Sequence, residues 1–285
     1  MDIVGQYRHS AKIRLDPNPS NWTNIQHMAY ETAQVVERRT FAEAHLSVQE
    51  LVDCDKAQDR GCTGGNPLLA FYFIRKHGLA KWSDYSYKGF EDVCNAKEVA
   101  KPIATVESWG LLPKDYEDMI ELVLRYMGPV AVGFNGSSER FISYKGGIFE
   151  DPDCSQHANH AMLIVGYGEE EVPAEEGPDS RVVRYWKVRN SWGSSWGEGG
   201  YVRIKRGDGK KGTKGVCGIA RSPSLALGGT LVPDRGDSPR SRSKPNQKSR
   251  YPKSKRGKLY RNRAGFCEDR LGDTIFYDGC SLIQQ

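Results

Sequence analysis

RNSWGSSWGEGGYVRIKRG, residues 189–207, is a glycine-rich turn leading into an apolar run, YVRIKR at 201–206, with another, VVRYWKV at 182–188, just before it. Short apolar runs punctuated by glycine are the pattern of twisted antiparallel strands. VAVGF at 130–134 and AMLIVGYG at 161–168 repeat it upstream. Asn190 therefore falls in a turn between two strands, and His160 at the start of an earlier one. The stretch EEEVPAEEGPDS (169–180), between strands, reads as an acidic, solvated surface loop.

Toward the N-terminus the texture is helical. From Thr23 to about Arg39, Ile25, Met28, Ala29, Ala33 and Val36 share one face at helical spacing. Thr23 with Gln26, and Ser47 with Glu50, are capping boxes in which each side chain satisfies an orphan backbone N–H. Asn66 caps a third helix, with Pro67 in its first turn and Gly78 just past its end. Residues 114–127 make a fourth, stopped by Gly128-Pro129. A helical first half and a strand-rich second half predict an α+β chain of two packed subdomains with a groove between them.

With 38% hydrophobic and 27% charged residues, the 285-residue chain can bury a sizeable core. No apolar run approaches the ~20 residues of a membrane helix, and the first twenty residues hold no apolar block like that of a signal peptide. That leaves an intracellular protein or a sequence whose true N-terminus lies elsewhere. Residues 234–263 carry twelve Lys/Arg and two Asp, so the net charge of +5 hides a mildly acidic remainder. This Pro-, Ser- and basic-rich stretch cannot bury a core and reads as disordered. It would meet polyanions at low salt. Seven widely spaced cysteines (54, 62, 94, 154, 217, 267, 280) favour disulfides in an oxidising compartment, with one thiol left over.

Taken singly, His160 is a core histidine and Asn190 a turn residue. Together they can form the base and orienter of a nucleophile–base–orienter triad, because an amide oxygen beside an imidazole fixes its tautomer and ring orientation. Trp192 is placed to cover that hydrogen bond from water.

The clusters LSVQELVDC…GCTGG (46–65), NHAMLIVGYG (159–168) and RNSWGSSWGEGGYVRIKRG (189–207), in this order, resemble the papain family of cysteine peptidases, cathepsins L and B among them. The resemblance runs from about Asn21 to Ser222. It implies a papain-like fold, with a helical left domain, a barrel-like right domain and the active site in the cleft. It also implies His160 as general base and acid, Asn190 as its orienter, and Gly64 and Gly65 as a backbone edge that pairs with an extended peptide. Two disulfides carry over, Cys54–Cys94 and Cys154–Cys217. The resemblance further implies a lysosomal or extracellular site of action. Residues 1–20 are unmatched, 21–108 form the helical and 109–228 the β-rich subdomain, 229–263 a basic linker, and 264–285 a short segment with two cysteines.

The departure lies at the nucleophile. The family places Gln, then Gly-Ser-Cys-Trp, before its long helix, where dipole and imidazolium lower the thiol pKa. Here Thr23 occupies that slot, or Asn21 if Trp22 is taken as the family tryptophan, and no cysteine precedes Cys54. Pro17 stands at the oxyanion-hole Gln and offers no donor. Thr23 is internal and lacks the N-terminal amine that threonine nucleophiles use as base, so it reads as a helix cap.

Cys62, whose family partner position is Ser20, becomes the leftover thiol, with Cys267 and Cys280 pairing to each other. Cys154, His157 and His160 are not read as a metal set, since two of them already have other roles and a fourth ligand is lacking. No cofactor is expected. Asn21-Trp22-Thr23 and Asn135-Gly136-Ser137 are glycosylation sequons, and Arg235-Gly236-Asp237 matches an adhesion tripeptide short enough to arise by chance. The chain is read as a monomer that takes a peptide or protein in its cleft. Two functions follow: a cysteine-type peptidase impaired or inactive as written, or a non-catalytic pseudopeptidase that binds peptides or partners.

Overall fold

Ser47 and Asn66 start their helices as their chemistry dictates. In the computed structural model, which describes Thr32, residues 45–56, 59–99, 101–173 and 180–232, and three short strands between 260 and 275, the Ser47 Oγ accepts the Glu50 N–H at 3.0 Å and opens α1 (Val48–Cys54). Asn66 Oδ1 accepts the Leu68 N–H and opens α2 (Pro67–His77), which Gly78 ends at φ +75°. Of the helix predicted from Thr23 only Thr32 is described, and it is helical and buried; Thr23 itself, Asn21, Ser20 and Pro17 lie outside the described residues. Two further helices are short, α3 (Ala96–Val99) and α5 (Glu139–Ile142), with α4 (Glu117–Tyr126) between them.

The fourth predicted helix begins later than residue 114. Asp115 sits at φ +56° and donates its N–H to Ala220 O, so the chain cannot enter a right-handed helix before Glu117, and α4 spans Glu117–Tyr126.

Among the described residues of the first compact unit, Met1–Val232, ten strands build two sheets. They are β1 (Leu79–Ala80), β2 (Pro102–Thr105), β3 (Ser108–Leu111), β4 (Val130–Phe134), β5 (Ile148–Phe149), β6 (His160–Pro173), β7 (Ser180–Arg189), β8 (Tyr201–Lys205), β9 (Ser224–Leu227) and β10 (Thr230–Leu231). The larger sheet has the order β3-β9-β4-β6-β7-β8-β5, and the smaller β1-β2-β10. Their common core joins α1 and α2 (Val48, Leu51, Phe71, Ile74) to Ala131, Leu163 and Ala226 of the large sheet. Full burial of Phe71 or Ile74 is worth about 2–3 kcal/mol each. Disulfides Cys54–Cys94 and Cys154–Cys217 cross-link this unit. Closing a loop of 40 residues, as the first does, stabilises by roughly 4 kcal/mol in the chain-entropy picture.

Two sequence expectations need correction. Glu169–Pro173 is strand, not loop: it prolongs β6 and pairs with β7 from Glu169↔Arg184 to Pro173↔Ser180. One pair across it, Glu169 and Arg184, is oppositely charged, and Glu170 meets Arg203 of the next strand; a count of acidic residues does not reveal such partners. Residues 230–232, expected within the linker, are instead held in the first unit: β10 pairs with β2 and the Val232 N–H donates to Ile103 O. The second unit, Pro233–Gln285, contains a small antiparallel sheet of β11 (Tyr260–Arg261), β12 (Cys267–Glu268) and β13 (Thr274–Ile275), so Tyr260–Arg261 is also strand within a stretch expected to lack structure.

Candidate active site

Antiparallel register brings the site together. Leu163 of β6 faces Arg189 of β7, so the chain leaving β7 runs beside the start of β6, where His160 stands opposite Phe134 of β4. His160 Nε2 lies 2.8 Å from Asn190 Oδ1. The Ser191 N–H also donates to that Oδ1, at 2.7 Å. Two donors converge on one atom, which must therefore be the amide oxygen, so Nε2 carries the proton and Nδ1 the lone pair. Among the described residues Nδ1 has no hydrogen-bond partner.

Asn190 is 4% exposed, and its N–H donates to Gly200 O. The turn that holds it closes through Gly200 N–H to Trp196 O, and Gly197 adopts φ +56° with Tyr201 O so near that a Cβ would lie 2.5 Å from it. Glycine is required there for both reasons.

Trp192 lies 5.1 Å from the His160 ring, centroid to centroid. Phe141 and Trp196 each meet Trp192 at 5.3 Å. Gly136 backs the imidazole so closely that a Cβ would sit 3.0 Å from His160 Cβ. Sequence reasoning missed Phe141, Trp196 and Gly136. Only the aromatic repeat in SWGSSWG hinted at the cluster. Burial in this aromatic cage pushes the His160 pKa below its ordinary value, and the Asn190 hydrogen bond opposes the shift. An imidazole so held can take a proton at Nδ1 from a nearby nucleophile and return it to a leaving group.

The remaining predicted residues make no hydrogen bond to His160 or Asn190 among the described residues. Gly64, at φ +116°, and the exposed Gly65 lie in the loop between α1 and α2, and no hydrogen bond to the Gly65 backbone occurs among the described residues. Cys62 is an exposed free thiol. Burial and then the Glu91 and Asp53 charges push its pKa up, which suppresses the thiolate. The sequon asparagine, Asn135, is 7% exposed and donates Nδ2–H to His157 O at 2.8 Å, so its amide is not presented to solvent.

Residues 20–227 match the family model of papain family cysteine proteases. The chain belongs to the papain family. It is 41% identical over 183 residues to vignain of Phaseolus vulgaris, covering 64% of this chain and 47% of that one. With cathepsin S of Bos taurus it shares 37% over 192 residues, 66% of this chain and 53% of the other. It thus spans about half the length of these two relatives. Among solved structures, the Amb a 11 cysteine protease of ragweed pollen in its proform superposes with a TM-score of 0.63 at 32% identity, covering 72% of this chain and 58% of that one. The Carica candamarcensis cysteine protease CMS1MS2 in complex with E-64 superposes at 0.61 and 29%, covering 75% and 93%. The papain-like α+β fold and the family follow from these matches together with the architecture above.

Proposed function

We propose that this papain-family chain is built on a peptide-hydrolysing site whose base is in place and whose nucleophile is not. His160 is the general base and acid, Asn190 its orienter, Trp192 the shield, and Gly64 and Gly65 the edge for an extended peptide. The observation that supports this is the Nε2–Oδ1 hydrogen bond with its tautomer set by Ser191. Thr23 or Asn21 takes the nucleophile position, so hydrolysis is impaired or absent.

The second reading, a pseudopeptidase that binds peptides or partners without cutting, is favoured by the cysteine inventory. Cys54, Cys94, Cys154 and Cys217 are in disulfides, Cys62 is held as thiol, and Cys267 and Cys280 belong to the second unit. The E-64 complex of the C. candamarcensis protease supports a peptide-type ligand for the same cleft here. Two disulfides suit a lysosomal or extracellular compartment. Among the described residues no helix is long and apolar enough to cross a membrane. The basic residues 234–263 supply a polyanion contact, and the chain acts as a monomer.

Substitution Thr23→Cys tests the assignment. The new thiol should alkylate faster than Cys62, lose that advantage when His160→Ala is added, and confer peptide hydrolysis that the unsubstituted chain lacks. A folded variant with neither property would remove residue 23 from the nucleophile slot and make Asn21→Cys the next to try. Hydrolysis by the unsubstituted chain, abolished by His160→Ala, would overturn the impaired reading.

A further inference from the structure

Asp55 and Asp59 bracket the start of the loop that carries Gly64 and Gly65. Asp55 caps α1, its N–H donating to Leu51 O. Asp59 Oδ1 accepts the Asn66 N–H at 2.6 Å, tying the start of the loop to its end across both glycines. Arg60 N–H donates to Gly64 O at 2.9 Å inside the same closure. Both carboxyls are buried, 4% and 2% exposed, and the Oδ2 of each has no donor among the described residues. The two carboxyls interact with each other, each bearing on the other's ionisation.

The surrounding charges are committed elsewhere. Asp53 of α1 is satisfied by Gln49, Tyr85 and the Asp92 N–H. Glu50 accepts the Ala80 N–H at one oxygen only, and burial pushes it, too, up to about 7, so the aspartate variants below are what separate the pair's titration from that of Glu50. Lys56 bonds Val52 O and Glu91, and Arg60 is exposed. Among the described residues no cation pairs with either aspartate. Two buried carboxylates in contact without a cation cannot both ionise cheaply.

We propose that Asp55 keeps a proton near neutral pH and donates it to the Asp59 carboxylate, and that this pair, acting through the Asn66 N–H, positions the Gly64–Gly65 edge. Asp59 is thus a positioning residue. Burial, and then the charge of Asp59, push Asp55 up to about 7. Asp59 is raised by burial, but the hydrogen bonds from Asn66 and Asp55 act the other way, which makes it the anionic partner. Above neutrality the shared proton is lost, the two charges repel, and the loop closure loosens. The functional weight of the edge rests on the proposed peptide-binding role of the two glycines.

The experiment uses the full chain labelled with 15N-glycine and carboxyl-13C aspartate, titrated by NMR from about pH 5 to about pH 9. One aspartate carboxyl should titrate near 7, and the Gly64 and Gly65 amides should shift with the same midpoint. Asp59→Asn keeps an acceptor for Asn66 but removes the shared proton, so that midpoint should vanish and both glycine amides should become flat. Asp55→Asn makes the same prediction should the first variant fail to fold. Glycine amides that ignore the event near 7, or that keep it in the variant, would overturn the proposal. So would calcium chloride abolishing the event, since the pair would then be a cation ligand. The readout needs neither bound peptide nor hydrolysis, so failure to bind peptide would sink the edge's role and leave this result standing.

Discussion

The indole of Trp192 and the imidazole of His160 lie 5.1 Å apart, tilted by 32°, and Phe141 meets the indole at 62°. The aromatic cage takes the hydrogen bond between His160 and Asn190 out of water. In such surroundings a hydrogen bond is stronger and an added positive charge costs more.

The two neighbours of His160 should therefore move its titration in opposite directions. Its NMR midpoint is expected below the ordinary 6.5. Trp192→Ala admits water and should raise it, whereas Asn190→Ala removes the bond that favours the charged ring and should lower it further. Trp192→Ala should also cost about 2–3 kcal/mol, less than a full aromatic truncation, because the indole is only partly buried. The folded imidazole is harder to protonate than the unfolded one. Its contribution to stability is therefore intact above 6.5 and is lost as pH falls from there through the folded midpoint. Shifts of the same sign in both variants would contradict this account.

Cys62 should alkylate slowly for an exposed thiol. Iodoacetamide near pH 7.5, followed by peptide mapping, gives its rate. Glu91→Gln removes a charge that raises the thiol pKa and frees Lys56, which lowers it, so the rate should rise several-fold. An unchanged rate would mean that access, not ionisation, limits the reaction.

Asn135 should carry no glycan when the chain is made in a secretory host, despite its Asn-Gly-Ser sequon. Intact-mass measurement reads this directly, and a glycan mapped to residue 135 in folded protein would contradict the buried amide. Asn135→Ala should cost about 1–2 kcal/mol, because the His157 carbonyl loses its donor.

Glycine substitutions should rank by what their Cβ meets. Gly197→Ala combines φ +56° with a backbone oxygen 2.5 Å away and should lose 2 kcal/mol or more on the usual scale of about 1–2 for backbone strain alone. Gly212→Ala, at φ +98° with open space around the Cβ, isolates that strain and should lose less. Gly136→Ala is unstrained but presses on His160, so it should perturb the His160 titration more than it changes the melting temperature. Equal melting temperatures for the Gly197 and Gly212 variants would contradict the close contact at Tyr201.

Helix starts at Ser47 and Asn66, the stop at Gly78 and the strand runs around 130, 161, 182 and 201 were legible in the sequence, because each depends on residues within about one turn or one pleat of it. The family was legible too, since the turn at 189–207 concentrates residue types that few other turns need. The partners across the sheet were not legible. Glu169–Pro173 is strand because Ser180–Arg184 of β7 pairs with it. Asn135 lost its sequon role only because the fold sets it beside His157 O. The His160 tautomer needed the Ser191 N–H, and the Asp55–Asp59 contact needed a loop folded back on its own helix. Burial and charge proximity arise from long-range contacts, and these set protonation, so the sequence alone determined which groups were present and only the tertiary structure decided their ionisation and their partners.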